Sequence, residues 1–218
     1  MVDTASNADH WDMFWAEHAS KGSLFHHLLW RIRLLFTKAY AHHLRNVVGH
    51  LHTGRILEVG CGSARTLHHL EQHYTHSLCY AFDISSEAIK LVRNISPTNQ
   101  TTIANALSLP LQDETFDLVF SIGLIEHFTR AKAQEIVSEN VRVARPYGYV
   151  GIVVPWQNSI YNLIVRKAFG RLWPFGDENP FRRRELVSFM GNLGLQDIRV
   201  FILYGSTLLG VGRRGVST

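Results

Sequence analysis

The spacing of apolar positions changes character near residue 54. Before that point two stretches, 9–20 and 24–48, carry a helical period. In the second, Leu28, Ile32, Leu35, Ala39 and Tyr40 recur on one face, while Arg31, Lys38, His42 and Arg45 share the other. Gly22-Ser23 separates the two helices, with Ser23 the predicted N-cap of the second. From Arg55 onward short apolar runs alternate with helical stretches. Strands are predicted over 55–60, 78–84, 101–106, 116–123 and 149–154, and helices over 64–74, 85–95 and 131–143, the middle one capped around Ser86-Glu87. Strands that are apolar throughout, separated by helices of about 10–15 residues, point to a parallel sheet covered on both faces. The expected class is α/β, doubly wound. After Pro155 the pattern predicts a helix over 158–169, an aromatic, turn-rich loop over 172–180, a helix over 181–193 ended by Gly194, and a strand over 197–204. The tail from 206 has no clear period.

Composition narrows the class. A chain of 218 residues suits one domain, or one domain with a small lid. With 46% hydrophobic and 18% charged residues it is globular, which excludes disordered and collagen-like chains. Cys61 and Cys79 make neither a disulfide scaffold nor a zinc spacing. The first residues are polar and acidic, unlike a signal peptide, and the most apolar stretch, Leu24 to Tyr40, is broken by Arg31, Arg33 and Lys38. A cytoplasmic location is the expectation. Twelve of the 13 histidines precede residue 77, and His69 and His73 lie four apart on a helix. No Cys or carboxylate set completes a site around them, so no metal is expected.

The charge balance is uneven. The net charge is +4 and the pI about 9.2, a value at which nucleic-acid binding has to be considered. Yet residues 56–150 are net acidic, and the excess of Lys and Arg lies in the flanks, most strongly in 151–218.

The candidate chemistry begins at the end of the first strand, in Glu58-Val59-Gly60-Cys61-Gly62-Ser63-Ala64-Arg65. A Gly-x-Gly turn between strand and helix lets a ligand approach the backbone and the helix N–H groups. As a dinucleotide fingerprint it fails, because Arg65 stands where the third glycine belongs. Glu58 so near the turn disfavours a pyrophosphate and suits a positively charged amino group. The second strand ends in Asp83, 21 residues after Gly62, where a carboxylate can accept bonds from both ribose hydroxyls. The alternative is that Asp83 caps the helix that follows.

ILEVGCGSA, FDIS and the run NALSLPLQDETFDLVFSIGLIEHF together resemble the class I S-adenosylmethionine-dependent methyltransferases, over about residues 55–155. The closest branch is the ubiquinone/menaquinone-biosynthesis-like, small-molecule one, methyltransferase type 11. The resemblance implies a Rossmann-like, mostly parallel sheet of the seven-stranded type, with N-terminal helices and a helical insert after the fifth strand. It divides the chain into a helical lid or substrate region, 1–54, and the cofactor domain, 55–218, with its insert at 156–181. It implies that S-adenosylmethionine is held by Glu58, Gly60, Gly62, Asp83, Ile84, Asn105, Ala106, Ser121 and Leu124, and leaves as S-adenosylhomocysteine. Glu126-His127 matches the family's Glu-His ending of the fourth strand, with His127 the candidate base for a nucleophile that arrives protonated. A capping and packing role for Glu126-His127 is the alternative. The departures are Ala64 for a third glycine, Asn105 for the common aspartate, and Arg145-Pro146-Tyr147-Gly148 for the usual Lys-Pro-Gly-Gly turn.

The absence of an Asn/Asp-Pro-Pro-Tyr/Phe motif at Ser121 to Leu124 argues against exocyclic-amine methylation of nucleobases. By the resemblance, Trp11, Phe14 and Trp15 with helix 24–48, and Trp156, Tyr161, Arg166, Trp173 and Phe175 from the insert, would build the acceptor pocket. A core stripe reads the same way for the first three. Arg182-Arg183-Arg184 at a helix start is unfavourable by the helix dipole and asks for an acidic substrate, an anionic surface or the protein's own acidic middle. The basic, amphipathic helix 24–48 suits either transient contact with a membrane surface or a lid. The expected function is methyl transfer to a small-molecule or lipid-like acceptor. The alternatives are a catalytically silent cofactor-binding partner protein and an RNA-modifying methyltransferase.

Overall fold

A computed structural model describes residues 7–19, 24–51, 54–159 and 178–215. The predicted cap Ser23, Tyr161, Arg166, Trp173, Phe175 and most of the predicted helix 158–169 and loop 172–180 lie outside them. The chain packs as two compact units, 1–110 and 111–218.

The first unit runs α1 (Ala8–Ala19), α2 (Leu24–Val48), β1 (Arg55–Val59), α3 (Arg65–His73), β2 (Leu78–Asp83), α4 (Ser86–Ile95) and β3 (Gln100–Ile103). Its strands are parallel in the order β3-β2-β1, with Val59 opposite Phe82 and Asp83 opposite Ile103. The register brings the glycine turn after β1 level with the acidic end of β2. Ile56, Leu57 and Val59 are buried, as the unbroken apolar run requires, and α3 and α4 cover them with Leu67, Leu70, Ile89 and Val92. The cap of α4 is Ser85, one residue before the predicted neighbourhood, and its hydroxyl accepts from Ala88 N at 3.2 Å. Helix α2 packs on α3 through Tyr40, Leu44 and Val48. The predicted stripe is corrected here: Tyr40 is buried but Leu35 is 59% exposed, because the packed face is rotated toward Thr37, Ala41 and Leu44.

The second unit runs β4 (Phe116–Ile122), a 3₁₀ turn (Ile125–His127), α5 (Arg130–Val143), β5 (Ala144–Pro155), α6 (Arg183–Asn192), β6 (Leu195–Leu203) and β7 (Thr207–Arg214). The order is β4-β5-β7-β6, with β4 parallel to β5 and β7 antiparallel to both neighbours. Three parallel strands in the first unit and four mixed strands in the second are the strand content of the expected Rossmann-like class. The periodless tail is therefore a central strand. Its glycines break the apolar pattern because its neighbours need the space: a Cβ on Gly210 would lie 2.6 Å from Met190 Sδ of α6, and one on Gly212 3.0 Å from Leu195 Cβ of β6. Strand β5 also begins five residues earlier than expected. Tyr147 holds φ +62° inside this strand, at a strain of about 1–2 kcal/mol for a residue with a Cβ.

Much of the basic excess is paired within this unit. Arg142 meets Asp113 at 2.5 Å and Glu139 at 2.7 Å, Arg214 meets Glu114 at 3.0 Å, and Arg145 meets the buried Asp117 at 2.5 Å. No described helix is long and apolar enough to cross a membrane.

Candidate active site

In the first unit the turn Gly60 to Ala64 carries the chain from β1 into α3. Gly60 and Gly62 take φ of +63° and +50°, conformations that glycine adopts without strain. Ala64, at φ +47°, takes the same region with a Cβ and serves as N-cap of α3 without a capping side chain. Glu58 compensates. Its buried carboxylate accepts from Leu67 N in the first turn of α3 at 3.2 Å, which satisfies an orphan donor and suits the positive helix end. Glu58 thus fixes the helix that follows the turn.

Asp83 joins the turn to the second strand. Its Oδ2 accepts from Gly62 N at 2.8 Å and its Oδ1 from Ser85 N at 2.9 Å. It is 7% exposed, and burial raises its pKa against the lowering effect of those N–H groups. A carboxylate offers about four acceptor positions. The two N–H donors therefore leave capacity for a vicinal diol. Ile84, next in the chain, is half-buried. Asn105 is exposed, and its Oδ1 accepts from Leu107 N at 3.0 Å, which shapes the loop after β3 into an Asx-turn beside half-buried Ala106.

Helix α1 lies over this end of the unit. Trp15 is buried, and its indole stands against Gly62, where a Cβ would come within 2.2 Å of the ring. Phe14 meets Trp15 edge-on at 5.2 Å and Trp11 meets Phe14 at 5.6 Å. One turn away, Asp12 Oδ1 accepts from Ser85 Oγ at 2.6 Å and from Glu87 N at 3.1 Å, tying α1 to the N-terminus of α4. Sequence reasoning missed Asp12, since nothing in the spacing of α1 separates it from other polar-face residues. Cys61 and Cys79 are buried free thiols with pKa values raised by burial, Cys79 to about 12, so neither supplies a thiolate near neutrality.

In the second unit β4 ends at Ser121-Ile122-Gly123-Leu124. Ser121 is 1% exposed, and its Oγ has no hydrogen-bond partner among the described residues, a buried hydroxyl that a ligand or water would satisfy. Gly123 turns the chain at φ +66°, and half-buried Leu124 leads into the 3₁₀ turn. Glu126 is buried there and His127 is half-buried, its N–H bonded to Leu124 O. The chain returning at residue 178 clamps this turn: Asn179 N donates to Glu126 O at 2.7 Å and Asn179 Nδ2 to Phe128 O at 3.2 Å. Arg130 reaches Asn179 O, Pro180 O and Glu185, and lies 3.6 Å over the buried Phe181 ring. The three arginines that looked unfavourable at the start of α6 are exposed, with Glu185 in the first helical turn accepting from Arg182 N. Trp156 pairs through its backbone with Phe181.

Within the first unit the donor set fits S-adenosylmethionine on chemical grounds: a glycine turn tied to a buried carboxylate with spare acceptor capacity. Among the described residues no group of three or more His, Cys, Asp or Glu is placed to hold a metal ion.

Residues 57–152 match the model of the methyltransferase domain family. Norajmaline N-methyltransferase of Rauvolfia serpentina is 32% identical over 97 residues, covering 42% of this chain and 32% of that protein. The probable tRNA methyltransferase 9B of Homo sapiens is 31% identical over 100 residues, 45% of this chain and 21% of that protein. The matched stretch therefore spans a third or less of these curated relatives. Among solved structures, magnesium protoporphyrin IX methyltransferase from Synechocystis PCC 6803, crystallised with bound S-adenosylhomocysteine, aligns with a TM-score of 0.73 at 14% identity. The alignment covers 95% of this chain and 98% of that one.

Proposed function

We propose that this chain, whose residues 57–152 match the methyltransferase domain family, is an S-adenosylmethionine-dependent methyltransferase that moves a methyl group to a small, largely apolar acceptor. The observation that carries the acceptor class is the aromatic face of α1, with Trp15 against Gly62 and with Phe14 and Trp11 stacked edge-on behind it. An apolar wall at the glycine turn selects an acceptor by area rather than by charge. The names of two of the similar proteins give norajmaline and magnesium protoporphyrin IX, small molecules, rather than a macromolecule.

Asp83 would hold the ribose, the Gly60–Gly62 backbone the amino-acid portion, and Asn105 the adenine edge through the free lone pair of its Oδ1. Glu58 acts one step back by holding α3 in place, and Ser121 offers its unpaired hydroxyl. The cofactor supplies a methyl group already activated on a sulfonium. This chain therefore has only to align and desolvate the acceptor, and alignment alone is worth roughly 7–11 kcal/mol. His127, half-buried beside the end of β4, would take the proton of an acceptor that arrives as a hydroxyl or amine.

Incubation with methyl-labelled S-adenosylmethionine and a fractionated cell extract tests this reading. Label should enter the organic-extractable small-molecule fraction. Label in RNA would replace the acceptor class with nucleic acid. Saturable cofactor binding without transfer to any fraction would make the chain a silent binding partner.

A further inference from the structure

A second cluster of functional side chains lies on the first unit, between α2 and the second half of α3. Lys38, His42 and Arg45 from α2 face His69 and His73 from α3 across a cavity of about 180 Å³. Ala41 and Leu70 form its floor, and no carboxylate lines it. Arg45 points both ways, 3.4 Å from His73 Nδ1 and 3.4 Å from His42 Nδ1. A guanidinium can only donate, so His73 turns an acceptor nitrogen to it, while His42 is also approached by Asn46 Nδ2, 2.9 Å from its Nε2. The surroundings remain positive: His69 also feels His68, Lys38 and Arg65, and His73 feels Arg45 and His50. The nearest acidic side chain of α3, Glu71, is engaged with His68 and Thr98.

Two fixed cations, Lys38 and Arg45, converge with three imidazoles on one cavity that holds no counter-charge. Two unlike elements carry them, so the convergence is not the polar face of a single helix. Its histidines are not placed to share a metal: among the described residues no three of His, Cys, Asp or Glu could hold one. The cavity has room for several waters at about 30 Å³ each, hence for one tetrahedral oxyanion. We propose that this α2–α3 cavity binds a phosphate group, of a soluble phosphorylated molecule or of a phospholipid headgroup, with Arg45 and Lys38 as charge partners and the histidines as proton-coupled donors. The site lies on the half of α3 remote from the glycine turn, so it is separate from the methyl-transfer site and independent of that reading.

Titration with inorganic phosphate, followed by the histidine ring resonances and by thermal denaturation, tests the proposal. Saturable shifts of the His42, His69 and His73 rings are expected, with a rise in Tm that chloride at equal ionic strength does not reproduce. The Lys38→Gln/Arg45→Gln variant should fold at least as stably without phosphate, since repulsion is relieved, and should bind phosphate at least about tenfold more weakly. His42→Gln/His73→Gln gives a second variant that leaves both fixed charges in place and should also bind more weakly. Pelleting with phosphatidylcholine vesicles containing phosphatidic acid separates the two sources. Vesicle binding that inorganic phosphate competes away assigns a headgroup, and phosphate binding without vesicle binding assigns a soluble ligand. Non-saturable shifts, a Tm rise equal to that in chloride, or unchanged affinity in both variants would overturn the proposal.

Discussion

The indole of Trp15 stands so close to Gly62 that any side chain at position 62 would collide with it; a Cβ there would sit 2.2 Å from the ring. Gly62 also holds φ at +50°. Gly62→Ala therefore meets two costs, about 1–2 kcal/mol for a left-handed non-glycine residue and about 1–3 kcal/mol for overpacking. The Tm should fall by several degrees. Adding Trp15→Ala removes the collision but not the strain, so the double variant should be more stable than the two single losses added together. Simple additivity would show that the two residues do not touch in solution.

Asp12 fastens the same helix from its other side. Asp12→Ala should cost about 0.5–1 kcal/mol, as loss of a helix cap does, and amide exchange should quicken in α1 and in the first turn of α4. The carboxylate has a pKa below 3.8, chiefly through the Ser85 hydroxyl. Its contribution is thus present above 3.8 and is lost as pH falls through the lower folded value. A stability profile unchanged at acid pH between wild type and Asp12→Ala would contradict that contact.

The histidines give a second acid-side effect. His43, His69 and His73 all have pKa values below 6.5, in each case chiefly through burial. His42 adds to the shift of His43, while cations from α2 and α3 add to the other two. A depressed histidine favours the folded state while neutral, so stability should be highest above about pH 6.5 and decline as pH falls through the folded values. Asp83, raised by burial, works in the opposite sense, so the informative comparison is with Lys38→Gln. That variant should flatten the decline between about pH 7 and 5 in thermal denaturation. An equally steep or steeper decline would remove Lys38 from the cluster's electrostatics.

Gly210→Ala places a methyl group 2.6 Å from Met190 Sδ and 3.1 Å from Leu186 Cδ2, both on fully buried side chains. A loss of about 1–3 kcal/mol is expected in urea denaturation, partly recovered by Met190→Ala. No loss would mean that α6 does not pack on β7 as closely as described.

What the sequence made legible followed from periodicity and from linked motifs. Strands β1, β2 and β4 are apolar throughout because both faces are covered, and Gly60, Gly62 and Asp83 stand out because register brings the ends of β1 and β2 level. Strand β7 was illegible because Gly210 answers to the side chains of α6 and Gly212 to those of β6, which local spacing cannot reveal. The face of α2 was misjudged at Leu35 for a related reason: several rotations of a mixed helix look alike until the partner helix α3 chooses one. Glu58 was readable as important, but its bond to Leu67 N depends on Ala64 being unable to cap α3. Asp12 carried no signal at all, since its partners Ser85 and Glu87 lie more than 70 residues away.

The central claim is that the Gly62–Asp83 junction holds the nucleoside of S-adenosylmethionine. Calorimetric titration with S-adenosylhomocysteine, wild type beside Asp83→Asn, tests it most directly. Asn keeps the volume of the side chain but can accept from only one of Gly62 N and Ser85 N, so the variant should fold with a lower Tm. Hydrogen bonds to a charged group are worth about 1.5–3 kcal/mol. Wild type should bind one ligand per chain, and the variant should bind at least about tenfold more weakly at a temperature where its circular dichroism shows it folded. No saturable binding to the wild type, or equal binding to both proteins, would contradict the account.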